Sequence, residues 1–285
     1  MKPTPLWREC LGEATGTFIL VLFGVGAVHA AVLTGAQSGV WQVAVVWGVG
    51  VALAIYAVGA VSGAHINPAI TIAFAAFRGF AFRKVAPYVL SQLAGAFIAA
   101  AALYALYGGA ISQFEASNNL VRGRPGSELS AMVYGEYFPN PDVVRSRLKT
   151  CDCLSPGCAM LAEALGTAML AFFVFALTDR HNPGRPDGAF VALFIGLTVS
   201  VIISIIAPLT QAGLNPARDF GPRAFSYLAG WGRIAIPGPR GGFFSVYILS
   251  PILGALAGAA AYEFLLHSAL KPAADEDGSN EQGDC

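Results

Sequence analysis

Three short phrases occur twice in this chain, in the same order. Glu13-Ala14-Thr15-Gly16-Thr17 returns as Glu163-Ala164-Leu165-Gly166-Thr167, and Asn67-Pro68-Ala69 returns as Asn215-Pro216-Ala217. Tyr88-Val89-Leu90-Ser91, followed by Gly95, returns as Tyr247-Ile248-Leu249-Ser250, followed by Gly254. One such coincidence would be weak, but three in register divide the chain into two related halves. Any fold proposed for one half must therefore serve the other, and the two must fit together.

The halves are apolar. Of the 285 residues 55% are hydrophobic and only 12% charged, roughly half the charge of an ordinary soluble domain. Stretches 40–61, 85–107 and 189–207 carry no charge; 11–33 holds only Glu13, 161–177 only Glu163 and 243–266 only Glu263. About 20 such residues cross the hydrocarbon of a bilayer as a helix. A buried soluble helix of that length usually keeps a polar stripe. The expectation is an all-α membrane protein with six spans. Three spans per half is an odd number, so the second half enters from the opposite face. That is an inverted 3+3 repeat, whose functional site lies near the midplane between the halves.

The predicted organisation is one channel-sized domain over 1–285. It has a first repeat at about 9–107, a polar surface loop at 108–157, a second repeat at about 158–267, and a disordered acidic tail at 271–285. Lys2 and Arg8 precede the first run, and no basic residue lies in the short 34–39 loop after it. Both termini are therefore expected in the cytoplasm, and the first run is expected to be an uncleaved span. Net charge is zero, so no basic field invites nucleic acid. Cys151, Cys153 and Cys158 cluster in the long loop without a nearby His; a disulfide and free thiols are both open there. No metal or cofactor is expected.

Asn is a preferred helix N-cap and Pro a preferred first helical residue. Asn67-Pro68 and Asn215-Pro216 each read as the start of a helix of about 10 residues, or about 15 Å, half a bilayer. Asn-Pro is elsewhere an ordinary turn dipeptide, as at Asn182-Pro183. The two Asn-Pro-Ala copies differ in sitting at matching places in both halves. Non-helical backbone survives at membrane depth only inside protein or along a watery cavity. The segments before each Asn, residues 62–66 and 211–214, are thus expected to line a pore, with Gly63, Ala64, His65, Gln211 and Gly213 offering carbonyls. Gly63 and Gly213 suit the tight path. Each half-helix N-terminus carries about half a positive charge, which repels cations. Asn67 and Asn215 would donate to one water, turn its hydrogens outward and interrupt proton relay.

With these motifs on view, 62–69 and Asn215-Pro216-Ala217-Arg218-Asp219-Phe220-Gly221-Pro222 resemble the two signatures of the aquaporin family, over about 9–266. Asp219, Arg223, Trp47-Gly48, 176–179 and 228–232 are similar to its glycerol-facilitator branch. The resemblance implies a tetramer with a pore in each subunit, glycerol and water as permeants, and glutamates at 13 and 163 that brace the pore loops. It also implies a selectivity filter containing Trp47 and Arg218. Counting back from Asn215 puts Ile203 where that branch usually has Gly and Ala212 where it usually has Phe. Trp47 and Ile203 against the donor Arg218 would form an amphipathic constriction. The His usual in water-selective relatives is replaced by Ile203, which argues against strict water selectivity.

Other readings stay open at this point. Glu13 and Glu163 are costly inside a membrane and would serve a proton-coupled carrier as well as a brace, though neither has a basic partner in sequence. His65 fits a pore-facing group or a packed one. Arg223, one turn beyond Arg218, fits a solvated position, and Glu263 the interface. No phosphate-binding loop or nucleophile–base set points to an enzyme. Water, urea, metalloids and peroxide remain alternative permeants, and an occluded structural protein a further class.

Overall fold

The computed structural model describes residues 4–148 and 154–270. The expectations for the acidic tail and for Cys151 and Cys153 lie outside that range. Helices follow one another as α1 (Leu6–Thr34), α2 (Val40–Ser62), the short α3 (Pro68–Phe77) and α4 (Val85–Ser117). A connection with the single turns α5 (Glu128–Ala131) and α6 (Pro141–Val143) leads to α7 (Pro156–Thr178), α8 (Val191–Thr210), the short α9 (Pro216–Ser226) and α10 (Ser250–Ala261). Six helices are long and apolar enough to cross a membrane, the last being Ser245–Leu270 around α10. No strand occurs among the described residues. The chain is all-α, with six candidate spans and two half-length helices, as the apolar runs foretell.

The halves repeat one packing scheme. α1 lies against α2 and α4, and α7 lies against α8 and α10 in the same way. α2 and α8 cross at the centre, and each half-helix is gripped by the other half: α9 by α4, and α3 by α10. At the α2–α8 crossing, Gly48 and Gly196 face each other. A Cβ on Gly48 would lie 2.3 Å from the Gly196 carbonyl, and one on Gly196 would lie 2.2 Å from the Gly48 carbonyl. Gly95 and Gly254, the repeated glycines, meet the Ala14 and Ala164 carbonyls, where a Cβ would stand at 2.1 Å in both cases. Lipid gives apolar helices little reason to associate, so such close small-residue approaches carry the association.

The connection departs from the surface loop expected over 108–157. α4 runs on to Ser117 because its polar end is anchored: Arg122 grips Glu115 in a two-pronged pair, and Ser130 Oγ donates to Glu115 Oε1 at 2.8 Å. Arg122 also lies over the Trp231 ring, 4.2 Å from its centroid. From there the chain turns inward. Ser127, Met132, Val133, Tyr134, Glu136, Tyr137 and Asn140 are all buried, and Asn140 Nδ2 donates to the Ala207 carbonyl at 2.8 Å on α8. The polar composition that suggests a surface loop is the composition needed to satisfy a loop folded inward against the helices.

At the opposite end, Asp179 closes α7. It accepts from Tyr262 Oη at 2.9 Å and from the His181 backbone at 2.9 Å, and sits 2.6 Å from His267 Nδ1. Burial alone would raise this carboxyl, yet the His181 backbone N–H and the His267, Tyr262 and His181 side chains hold it below the usual carboxylate range. Arg78 joins the group by pairing with Glu263. Glu263, near the end of the sixth span, is thereby tied to the end of α3.

Candidate functional site

Each half-helix begins as its sequence dictates. Asn67 is extended, and its side-chain oxygen accepts from Ala69 N at 2.9 Å; Asn215 likewise accepts from Ala217 N at 3.0 Å and Arg218 N at 3.2 Å. A proline follows in both cases, where its missing N–H costs nothing. The amide nitrogens do something the sequence does not show. Asn67 Nδ2 donates to the Leu214 carbonyl at 3.0 Å and Asn215 Nδ2 to the Ile66 carbonyl at 2.8 Å. The two halves are cross-linked tip to tip. Each NH2 group has two hydrogens, so one is committed to the opposite loop and the other is left for the cavity. The expected donation into the cavity therefore rests on one hydrogen of each amide.

The loops before each Asn are strained. Ala64, Ile66, Gln211, Ala212 and Leu214 all have positive φ, with Ile66 at 44°, a conformation a β-branched residue rarely adopts. Buried carboxylates hold them there. Glu13 accepts from His65 N at 2.9 Å, Ile66 N at 2.7 Å and Gln92 Nε2 at 2.7 Å. Glu163 accepts from Gly213 N at 2.9 Å, Leu214 N at 2.8 Å and Thr210 Oγ1 at 2.5 Å. Hydrogen bonds to a charged group contribute about 1.5–3 kcal/mol each, enough to offset several residues of left-handed strain. Committed to three donors apiece, these carboxylates are poor proton carriers. Gly63 does take positive φ, but Gly213 does not. It is needed for space, since a Cβ there would meet the Tyr247 ring at 2.8 Å. The Gly213 carbonyl also accepts from Asn215 N at 2.6 Å, so it is partly used inside the loop.

Two cavities share part of their lining. The inner one, about 150 Å³, is lined by both Asn residues, by 63–66 and 212–214, and by an apolar wall that includes Leu20, Val51, Leu170 and Val199; Thr178 and Val191 also line it. The outer one, about 230 Å³, is lined by Gln37, Glu136, Asn140, Asp142 and Gln211 among others. Among the described residues, Trp47, Ile203 and Arg218 line both. Trp47 is seated against Gly24, where a Cβ would fall 2.1 Å from the indole, and the Arg218 guanidinium lies over its ring at 4.2 Å. Ala212 is buried and borders only the inner cavity.

The profile of the major intrinsic protein family matches residues 1–262. The chain belongs to that family. Among curated major intrinsic proteins, it is 46% identical to a glycerol uptake facilitator of Pseudomonas aeruginosa, with 95% of this chain and 94% of that one covered. It is 41% identical to a propanediol uptake facilitator of Citrobacter freundii, with 92% and 93% covered. Among solved structures, the aquaglyceroporin from Plasmodium falciparum superimposes with a TM-score of 0.78 at 25% identity, over 93% of this chain and 99% of that one.

Within this family fold the predicted residues come together, with additions. His65 borders the inner cavity and also packs among Phe74, Phe80 and Tyr88, but its buried Nδ1 has no hydrogen-bond partner, so it is packed without the hydrogen bond that a purely structural histidine would be expected to make. Gln211 faces the outer cavity, and its amide is spent on the connection: Oε1 accepts from Tyr137 N at 2.9 Å and Nε2 donates to Met132 O at 3.1 Å. Arg223 is not solvated. It is 1% exposed, grips Asp219 at 2.9 and 2.8 Å, and donates to the Ala235 and Glu136 carbonyls. Asp219 in turn accepts from Glu136 N at 2.7 Å. Sequence reasoning misses Glu136 altogether. Its buried carboxylate pairs with Arg218, and both residues line the outer cavity. The only signal was a lone acid amid the aromatics of 134–138, far in sequence from its partner.

Proposed function

We propose that this chain is a passive channel, not an enzyme, conducting glycerol and similar small uncharged polyols, together with water, through a lipid bilayer. The observation that carries this reading is the composition of the lining that the two cavities share: the apolar Trp47 and Ile203 side chains together with the Arg218 guanidinium, which lies over the indole. A polyol has a carbon edge and a hydroxyl edge. Its carbons would slide along the indole and the Ile203 side chain while its hydroxyls accept from Arg218. Beyond that point, backbone carbonyls of 63–65 and 212–213 would accept from its hydroxyls beside an apolar wall. The curated relatives named for glycerol and propanediol uptake support the same substrate class.

Ions are disfavoured twice over. The apolar wall cannot replace a hydration shell, and two helix N-termini meet at the Asn pair, which repels cations; the Arg218 charge is offset by its pair with Glu136. The remaining amide hydrogen of each Asn would orient a central water so that its own hydrogens point away, which breaks a proton wire. Glu13 and Glu163 would fix the loops that make this geometry. We further propose a plasma or inner membrane location with both termini cytoplasmic, and a homotetramer with a pore in each subunit.

The test is light scattering of proteoliposomes in a glycerol gradient, with sucrose alongside for water. Fast reswelling in glycerol is expected, and Trp47→Ala should lower the ratio of glycerol to sorbitol permeability. A parent protein that passes water but no glycerol would overturn the substrate. An unchanged ratio in Trp47→Ala would overturn the constriction.

A further inference from the structure

Asp179 and His181 stand two residues apart just after α7, and His267, 88 residues further along from Asp179, meets them at one end of the bundle. One ligand-capable atom of each lies within 4.8 Å of the others. His181 Nδ1 is 3.2 Å from Asp179 Oδ1, and His267 Nδ1 is 2.6 Å from Asp179 Oδ2. Ligands on a tetrahedral zinc with bonds near 2.1 Å stand roughly 3.4 Å apart, so small side-chain movements suffice. We propose that these three residues form a binding site for a divalent transition-metal ion such as Zn2+, separate from the pore and independent of what the pore conducts.

The surroundings favour this over a simple hydrogen-bonded trio. Tyr262 Oη donates to Asp179 Oδ2 at 2.9 Å and the His181 backbone N–H to Oδ1 at 2.9 Å, which fixes the carboxylate and leaves each oxygen a further lone pair. His267 presents Nδ1 inward while its Nε2 lies 3.8 Å from Glu263 Oε2, the carboxylate–histidine arrangement that orients metal-bound imidazoles. Arg78 lies 3.9 Å from Asp179 and is paired with Glu263, which keeps its charge directed away from the site. Two nitrogens and one oxygen suit zinc, copper or nickel and not magnesium or calcium. His181 is half exposed, so the ion can enter from water and complete its shell with water. The donors come from the end of α7, from the connection to α8 and from the end of the sixth span. An ion there would tie these three together beside Thr178, which borders the inner cavity.

The experiment titrates ZnCl2 into the full-length, untagged protein in detergent, reading bound metal by equilibrium dialysis and the thermal midpoint in parallel. Expected are one Zn2+ per chain, a midpoint that rises with Zn2+ and not with Mg2+, and at least ten-fold weaker binding in both His181→Ala and His267→Ala. The triple variant Cys151→Ser, Cys153→Ser, Cys158→Ser should bind as the parent does. Folding of each variant is checked by size exclusion and glycerol flux. Should His267→Ala fail to fold, the exposed His181→Ala decides. No binding by the parent, binding untouched in His181→Ala, or binding lost with the cysteines would each overturn the site.

Discussion

At the scale of single residues, the loop geometry depends on acceptors having no donors among them. Glu163 receives two backbone N–H groups and a hydroxyl. Glu163→Gln would turn one acceptor oxygen into an NH2 facing N–H groups, at a cost of about 2 kcal/mol or more. The thermal midpoint of the solubilised protein should fall, and glycerol flux per folded chain should fall with it, because the Leu214 carbonyl that holds Asn67 is set by the same loop. A variant that keeps both would mean that the loop needs no brace. These roles were half legible in the sequence. The repeat singled out Glu13 and Glu163, and helix-capping rules found both Asn side chains, because these are local or symmetric signals. Arg223 and Glu136 were not legible. A buried arginine looks like a solvated one until its carboxylate and carbonyl partners, over 80 residues away for Glu136, are placed beside it.

At the scale of elements, helix crossings are set by what is absent. Gly48→Val would drive side-chain carbon into the Gly196 carbonyl and Ser200 Oγ, and overpacking of this sort costs about 1–3 kcal/mol or more. Gly108, on the same kind of apolar helix, has open space around it. Gly108→Ala should stabilise by about 0.5–1 kcal/mol through backbone entropy alone. Thermal melts of the two variants should move in opposite directions, and parallel movement would show that the α2–α8 crossing does not carry the packing. Spans were read correctly from uncharged runs because lipid imposes a length. The end of α4 was not, since Ser112, Gln113 and Glu115 stop the apolar run without stopping the helix. There the deciding interaction is Arg122 with Glu115, which no hydropathy pattern contains.

At the scale of the molecule, both cavities and the constriction between them are lined by residues of a single chain. Whatever the oligomer, flux should then scale with the number of intact chains. Mixing parent with an Arg218→Trp variant in the same liposomes should lower glycerol permeability in proportion to the blocked fraction, and a steeper fall would place part of the pathway between chains. The crossed hydrogen bonds, Asn67 to Leu214 and Asn215 to Ile66, reach further, into how the protein is made. When the ribosome has delivered the first half, Glu13 can already hold its loop. The Ile66 carbonyl and the Asn67 amide, however, still face a membrane interior with no partner, and an unpaired polar group there costs several kcal/mol. A nascent first half is therefore a leaky and unfinished thing. Closure waits for translation to reach Asn215, and a ribosome stalled in the long connection would leave behind a chain that quality control has a physical reason to destroy.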